Sequence, residues 1–271
     1  MEIIKHGLYR HFKGNLYEVL DVARHSETGE DMVVYRDVSD HTKVWVRPAA
    51  MWSETLTRDG ITHPRFAYLG EAPKHIYDIS QEVFTSNVWP GDPAPQRRVL
   101  SDMRKGDLYN LTAISMCAHN GTHVDAPAHF IADGKTVDAL SLDAMIGRCY
   151  VATHEGEVDA QAIRNILGRA AAADREATGR ILIRGRATLS YEAAQVLARA
   201  DVRLFGNESQ TVGPEQAPMA VHQLLLGRGV VLLEGVRLSD VPDGAYHLFA
   251  APINLGGAEG APCRAVLVGE K

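Results

Sequence analysis

Residues 119–130 read HNGTHVDAPAHF. His119, His123, Asp125 and His129 follow one another at offsets of 4, 2 and 4. All three offsets are even, so an extended chain would aim the four side chains at one face. Fully extended, the outer two histidines would stand ~33 Å apart at ~3.3 Å per residue. They can share a site only if the chain bends. Gly121 permits unusual dihedrals; Pro127 fixes its own φ and restricts Ala126. Asn120, Gly121, Thr122 and Pro127 argue against a helix. The stretch therefore reads as a strand that breaks into a tight loop and gathers its side chains there. Imidazoles with one carboxylate suit zinc, manganese or iron. The competing reading is a histidine-rich surface loop, in a chain with 12 histidines.

A metal site of this kind needs ligands from elsewhere. His222 and Glu234 are the candidates, in HQLLLGRGVVLLEG (222–235). His222 falls on a predicted helix, 214–226, closed by Gly227. Glu234 ends an apolar strand, 229–235, where a carboxylate is costly to bury unless paired or metal-bound. Each taken alone reads more simply as a polar helix position or a strand end.

The surrounding chain alternates. Residues 110–118 (NLTAISMCA) read as a strand entering the histidine stretch. Residues 159–172 and 190–200 have helical periodicity behind Asp159 and Ser190 as N-caps. RILIR (180–184) and 202–205 read as buried strands. Residues 81–98, QEVFTSNVWPGDPAPQRR, read as a turn-rich loop bearing Trp89. Such alternation predicts α/β or α+β with a central sheet. Before a linker at 70–74, LYRHFKG, NLYEVLDVARH, DMVVYRDV and KVWVRP read as four strands of a hairpin run, a small barrel or curled sheet. Two domains are expected: a β-rich appended one, 1–70, and a second spanning 75–271.

The chain has 271 residues, 45% hydrophobic and 23% charged, with a net charge of -6. No basic run marks a nucleic-acid binder, and no apolar stretch approaches the ~20 residues of a membrane helix. Cys117, Cys149 and Cys263 have no paired spacing, so no disulfide framework or CxxC zinc motif is expected. The N-terminal MEIIKHGLYRHF lacks a signal-peptide h-region. A cytoplasmic setting is expected.

Together, HNGTHVDAPAHF, the His222/Glu234 pair, VWPGDP (88–93) and VPDGAYHLFAAPINLGGAEGAPCRAVLV (241–268) resemble the metal-dependent cyclase/hydrolase family. That family includes bacterial kynurenine formamidase and isatin hydrolase. The resemblance covers about 75–271. Residues 1–70 resemble a small uncharacterised bacterial domain with the pattern G-x-Y-R-H-(F/Y)-K-G-x-x-Y-E-V.

The resemblance implies an α/β catalytic domain of swivelling β/β/α type beside a small all-β domain. It implies a divalent metal, zinc or manganese, with two ions per subunit. His119, His123 and Asp125 would hold the first ion and His222 the second, with Asp125 and Glu234 shared. Water activated by the ions would attack an amide, lactam or related carbonyl, an aryl formamide or isatin-like ring above all. His129 would carry the proton and Trp89 would stack on the substrate. The partner is a small molecule, with neither nucleic acid nor membrane, and the assembly a homo-oligomer, dimer or tetramer. Lactone hydrolysis or cyclisation of another small molecule is the alternative; a non-catalytic metal- or ligand-binding protein is a third reading. One departure stands out: GNESQTVG (206–213) puts Asn207 about where members carry an aspartate, and displaces Ser209 by one.

Overall fold

The computed structural model describes residues 4–269, apart from 41, 59 and 73. The chain divides into two compact units, the first ending at Lys74 and the second spanning His75–Gly269.

The N-terminal unit is a five-stranded antiparallel sheet. Its spatial order is Val44–Pro48, Asp31–Asp37, Leu16–Arg24, Gly7–His11, Phe66–Gly70. Tyr9, Val19, Val33, Tyr35, Trp52 and Phe66 form its core. Trp52 lies flat on Phe66, ring centroids 3.7 Å apart, and Tyr9 and Tyr35 meet Trp52 at steep angles. Large rings bury much area per residue, which a unit this small needs. The four-strand reading counted too few. Phe66–Gly70 adds a fifth, and Thr55–Arg58 pairs with Ile61–Pro64 as a separate hairpin. Gly60, Pro64 and Gly70 interrupt the apolar alternation there and hide both elements.

The second unit is built on nine strands: β1 (His75–Asp78), β2 (His123–Asp125), β3 (Ile146–Thr153), β4 (Arg180–Arg184), β5 (Leu204–Asn207), β6 (Val231–Glu234), β7 (Gly244–Phe249), β8 (Gly260–Pro262) and β9 (Val266–Gly269). Their spatial order is β8-β2-β6-β5-β4-β3-β7-β9-β1. The four central strands, β6, β5, β4 and β3, are parallel; every other pairing in this sheet is antiparallel. Helices Ala160–Ala173, Tyr191–Arg199 and Met219–Gly227 connect the parallel strands. The unit is thus mixed α/β and the N-terminal unit is all-β apart from the turn Ala49–Trp52.

Strand alternation divides the core. Tyr150, Ala152, Ile181, Ile183, Phe205 and Leu232 face the three helices, with Ile163, Ile166, Leu197 and Leu225 packed against them. Cys149, Val151, Leu182, Leu204, Val231 and Leu233 face the other way, under Ile79, Met145, Val236 and Leu238. Burial on both faces explains why RILIR and VVLL are continuous apolar runs. Two caps behave as the residue types suggest: Asp159 accepts from Ala162 N–H, and Ser190 from Ala193 N–H. The third helix begins at Met219 and not at 214. Pro218 disfavours helical dihedrals at Ala217, so residues 214–217 remain a turn.

Arg180 is buried at 4% exposure and its guanidinium serves carbonyls. It donates to Ala144 O at 2.9 Å, to Arg148 O at 3.1 Å, and to Asp143 O. Asp143 O and Ala144 O belong to the short turn Leu142–Met145 that leads into β3, and Arg148 O to β3 itself. Arg180→Met keeps the apolar bulk but removes all three donors. At about 1–3 kcal/mol per stranded buried acceptor, partly relieved by water, a loss of roughly 2–4 kcal/mol is expected. Urea unfolding checks it; an unchanged midpoint would show that the carbonyls do not depend on Arg180.

Candidate active site

The pairing of β2 with β6 sets His123 opposite Glu234 and Asp125 opposite Leu232. Leu232 faces the helices, so by alternation Glu234, His123 and Asp125 share that side, while Val124 and Leu233 enter the opposite core layer. The helix Met219–Gly227 packs on the same side and carries buried His222. Two turns complete the group. Gly121, at φ +70°, bends the chain before β2, and Pro127–His129 forms a turn of 3-10 helix after it. The strand itself is only three residues long. His119 and His129 therefore arrive through turns at its two ends, and the predicted strand at 110–118 ends at Ser115, before the motif.

The side chains converge. His119 Nδ1 is 2.9 Å from Asp125 Oδ1, and His123 Nε2 is 3.3 Å from the same oxygen. His222 Nε2 stands 3.0 Å from Glu234 Oε1 and 3.7 Å from Asp125 Oδ2; His123 Nε2 is 3.5 Å from Glu234 Oε2. His129 stacks on His119, ring centroids 4.0 Å apart. Among the described residues, two sets have ligand atoms within 4.8 Å of one another: His119, Asp125 and His129, and His123, Asp125 and Glu234. Asp125 belongs to both.

Backbone carbonyls orient two of the rings. His123 Nδ1 lies 3.1 Å from Gly121 O, and His222 Nδ1 lies 2.9 Å from Pro218 O. A carbonyl only accepts, so each Nδ1 carries the hydrogen and each Nε2 is left for the site. The protonation pattern agrees. Burial opposes the His123 imidazolium, but Asp125 and Glu234 outweigh it and raise its pKa to about 10. His222 follows the same logic, burial lowering and Glu234 raising, with a net rise. Burial likewise opposes ionisation of Asp125, yet His119 and His123 hold its carboxyl well below the ordinary range. His129 goes the other way: burial, with His119 and His222 nearby, lowers its pKa.

Asp125 Oδ2 and His119 Nε2 are buried with no hydrogen-bond partner among the described residues. Stranding such atoms is costly. A cation relieves the cost, and a set of imidazoles and carboxylates fits a borderline divalent ion. Metal ligation by His119, His123, Asp125, His222 and Glu234, with or without His129, is compatible with this donor set.

A cavity of ≈ 460 Å³ opens on the cluster. Trp89, Phe130 and Pro218 line it with His119, His123, His129, His222 and Glu234. Trp89 reaches it from a tight turn. Asp92 N–H donates to Trp89 O at 3.0 Å, with Pro90 and Gly91 (φ +102°) at the central positions, as a type II turn requires. Asn207 does not line the cavity. Its amide donates to Ala187 O and Thr211 O, while Val212 N–H donates to Glu234 Oε1. The loop's contribution to the cavity is Gln210 and Thr211. Sequence reasoning assigned no role to these two, nor to Asp92, Cys117, Phe130 or Glu259. Asp92 sat in plain view in the Trp-Pro-Gly-Asp turn; the others carried no signal of their own. Gly235 was also missed. At φ +67°, a Cβ there would stand 2.6 Å from Gly121 O, so the residue after Glu234 must be small for the histidine loop to pass.

The family model described as "Putative cyclase" matches residues 77–214. The kynurenine formamidase of Paracidovorax citrulli is 33% identical over 210 residues, covering 72% of this chain and 97% of that protein. The chain belongs to the cyclase family. The Salinibacter ruber kynurenine formamidase is 31% identical, over 71% of this chain and 96% of its own. Among solved structures, a "Potential Metal-Dependent Hydrolase With Cyclase Activity" is 24% identical with a TM-score of 0.63, over 73% of this chain and all of that one. Isatin hydrolase A from Labrenzia aggregata is 21% identical with a TM-score of 0.62, over 73% and 94%. These two likenesses carry the fold. Residues 7–68 match a second family, "Protein of unknown function (DUF1653)". The chain is thus a cyclase-family hydrolase fused to a DUF1653 domain. Among the described residues no helix is long and apolar enough to cross a membrane.

Proposed function

We propose that this cyclase-family hydrolase cleaves the C–N bond of an aryl formamide, or of an isatin-like cyclic amide, with the aid of one or two zinc or manganese ions. The observation that carries the reading is the shared carboxylate: Asp125 is fully buried between two sets of ligand atoms, one of its oxygens unpartnered. The kynurenine formamidase relatives support the choice of bond. His119, His123, Asp125, His222 and Glu234 would hold the metal.

A bound divalent ion supplies Lewis acidity for the carbonyl and a lowered pKa for water. The chain's own residues do the rest. Trp89 packs on the aryl ring and fixes its plane. His129, held neutral by burial, accepts a proton from the attacking water and returns it to the leaving nitrogen. The carbonyl carbon gains the water oxygen and loses nitrogen; an aryl formamide yields formate and an arylamine.

The test uses the full chain with formanilide and N-formylkynurenine. Dialysis against a chelator should abolish hydrolysis, and Zn²⁺ or Mn²⁺ should restore it. Undiminished turnover after the metal falls to trace level would overturn the reading.

The same site gives a pH prediction. Without metal, the raised His123 pKa stabilises the fold fully below ~6.5, and that stability is lost as pH rises towards about 10. Metal must displace the His123 and His222 protons, so its affinity rises over the same range. The gap in melting temperature between metal-loaded and chelated protein should widen from pH 7 to pH 10. The chelated form should lose ~3 kcal/mol, an order-of-magnitude figure. Thermal scans at fixed ionic strength check it; a gap that narrows would contradict the assignment.

A homo-oligomer is part of the proposal. The ribbon of Gln96–Ser101 and Leu111–Ser115 pairs with nothing else among the described residues, and Val99, Leu111 and Ile114 on it are exposed. Light scattering at the mass of a single chain would remove this part.

A further inference from the structure

The cavity has a charge asymmetry that the hydrolysis itself does not require. Asp92 and Glu259 line it beside Trp89 and Cys117, and among its described lining residues there is no lysine or arginine. Asp92 is half-buried, and its carboxylate has no hydrogen bond or ion pair among the described residues. Its position is fixed, because it closes the turn that also presents Trp89, Asp92 N–H donating to Trp89 O. Glu259 comes from the opposite end of the chain. Its backbone carbonyl accepts from Ala126 N–H beside β2, and its Oε1 lies 3.3 Å from His119 Nε2, within ion-pair range but outside hydrogen-bond geometry. Both carboxylates act electrostatically on the Cys117 thiol, which places them in one neighbourhood. An aryl ring packed on Trp89 therefore has the Asp92 and Glu259 carboxylates within the same cavity, and no lysine or arginine among its described lining residues.

We infer that Asp92 and Glu259 select substrates whose aryl ring carries a positively charged side chain, such as an aminoalkyl group, and that the pocket discriminates against a carboxylate tail. The inference rests on the aryl-amide reading above and narrows it. An ammonium group gains charge-assisted hydrogen bonds from these carboxylates in a partly desolvated cavity. A carboxylate placed beside Asp92 and Glu259 meets like charge, with no lysine or arginine among the described lining residues to offset it. A zwitterionic tail such as that of an amino acid gains one interaction and suffers the other.

The experiment compares three ortho-substituted aryl formamides of matched size, with aminoalkyl, alkyl and carboxyalkyl tails. kcat/KM is measured on the metal-loaded full chain, in wild type, Asp92→Asn, Glu259→Gln and the double variant. Calorimetric binding of the corresponding non-hydrolysable aryl ketones runs in parallel. In wild type, kcat/KM and affinity should fall from aminoalkyl to alkyl to carboxyalkyl, by about tenfold at each step. In the double variant the three should converge to within about twofold. Comparing ratios within each variant removes any general effect of Glu259→Gln on His119. Equal treatment of the three tails by wild type, or ratios unchanged in the double variant, would overturn the inference. No turnover of any formamide, with the ketone preference intact, would overturn the proposed reaction and leave the selectivity standing.

Discussion

Replacing Asp125 with asparagine is expected to abolish hydrolysis and metal binding together. Turnover should fall at least about 10³-fold, about 4 kcal/mol of barrier. The expectation comes from the position of this one carboxylate. It contacts His119 and His123 through Oδ1 and approaches His222 through Oδ2, and it is a member of both ligand sets. Removing Glu234 would dismantle one set, whereas removing Asp125 dismantles both. Asparagine keeps the size and one oxygen, so loss of packing contributes little, and the effect isolates charge. Elemental analysis should find the metal depleted, and added Zn²⁺ should no longer raise the melting temperature. An Asp125→Asn protein that keeps a full complement of metal would show that the ions are held elsewhere.

The dependence on Asp125 also marks how far the chain could be read without coordinates. RILIR and VVLL announced strands through their apolar runs, and burial on both faces of the sheet is what demands such runs. Asp159 and Ser190 announced helix starts because each can satisfy an orphan N–H. The four even-spaced residues around Gly121 and Pro127 announced convergence. Partnership across the sheet was not legible. Nothing local says that His123 will stand opposite Glu234, because a strand's register depends on which distant edge it meets. The strand Gln96–Ser101 was hidden for a related reason. It begins inside a proline-rich stretch read as loop, and its only partner among the described residues is the ribbon strand Leu111–Ser115, so no buried face imposes a period on it. The supporting contacts around the site were invisible too. Gln81 N–H donates to Thr122 Oγ1, and both side chains donate to Gly235 O, tying the histidine loop to the residue after Glu234. Such contacts use common polar residues at ordinary spacing. The reading of Asn207 as a departure near the pocket turns out to concern the loop's frame, since its amide holds Ala187 and Thr211 carbonyls and leaves the cavity to its neighbours.

His129→Ala is the variant on which the assignment of roles turns. Two features of this residue pull in different directions. Its ring stacks on His119 and falls within ligand distance of His119 and Asp125, as a metal ligand would. Yet it is only half-buried, has no carboxylate hydrogen-bonded to it among the hydrogen bonds described, and is kept neutral by burial and by neighbouring imidazoles. His123 and His222, by contrast, are anchored through Nδ1 to backbone carbonyls, an arrangement that fixes a ligand and that His129 lacks. A ring free to accept a proton and turn towards a leaving nitrogen suits a proton carrier better than a fixed donor. The expected result is therefore a split. Metal content should stay at the wild-type level while kcat falls about 10²–10⁴-fold. The acidic limb of the pH–rate profile, set in wild type by protonation of a group with pKa below 6.5, should disappear with the imidazole. Adding free imidazole should restore part of the rate, because the cavity left behind lies open to the pocket that His129 lines. If His129→Ala instead loses metal in step with activity, and imidazole restores both, the residue is a ligand and the proton must travel by another group.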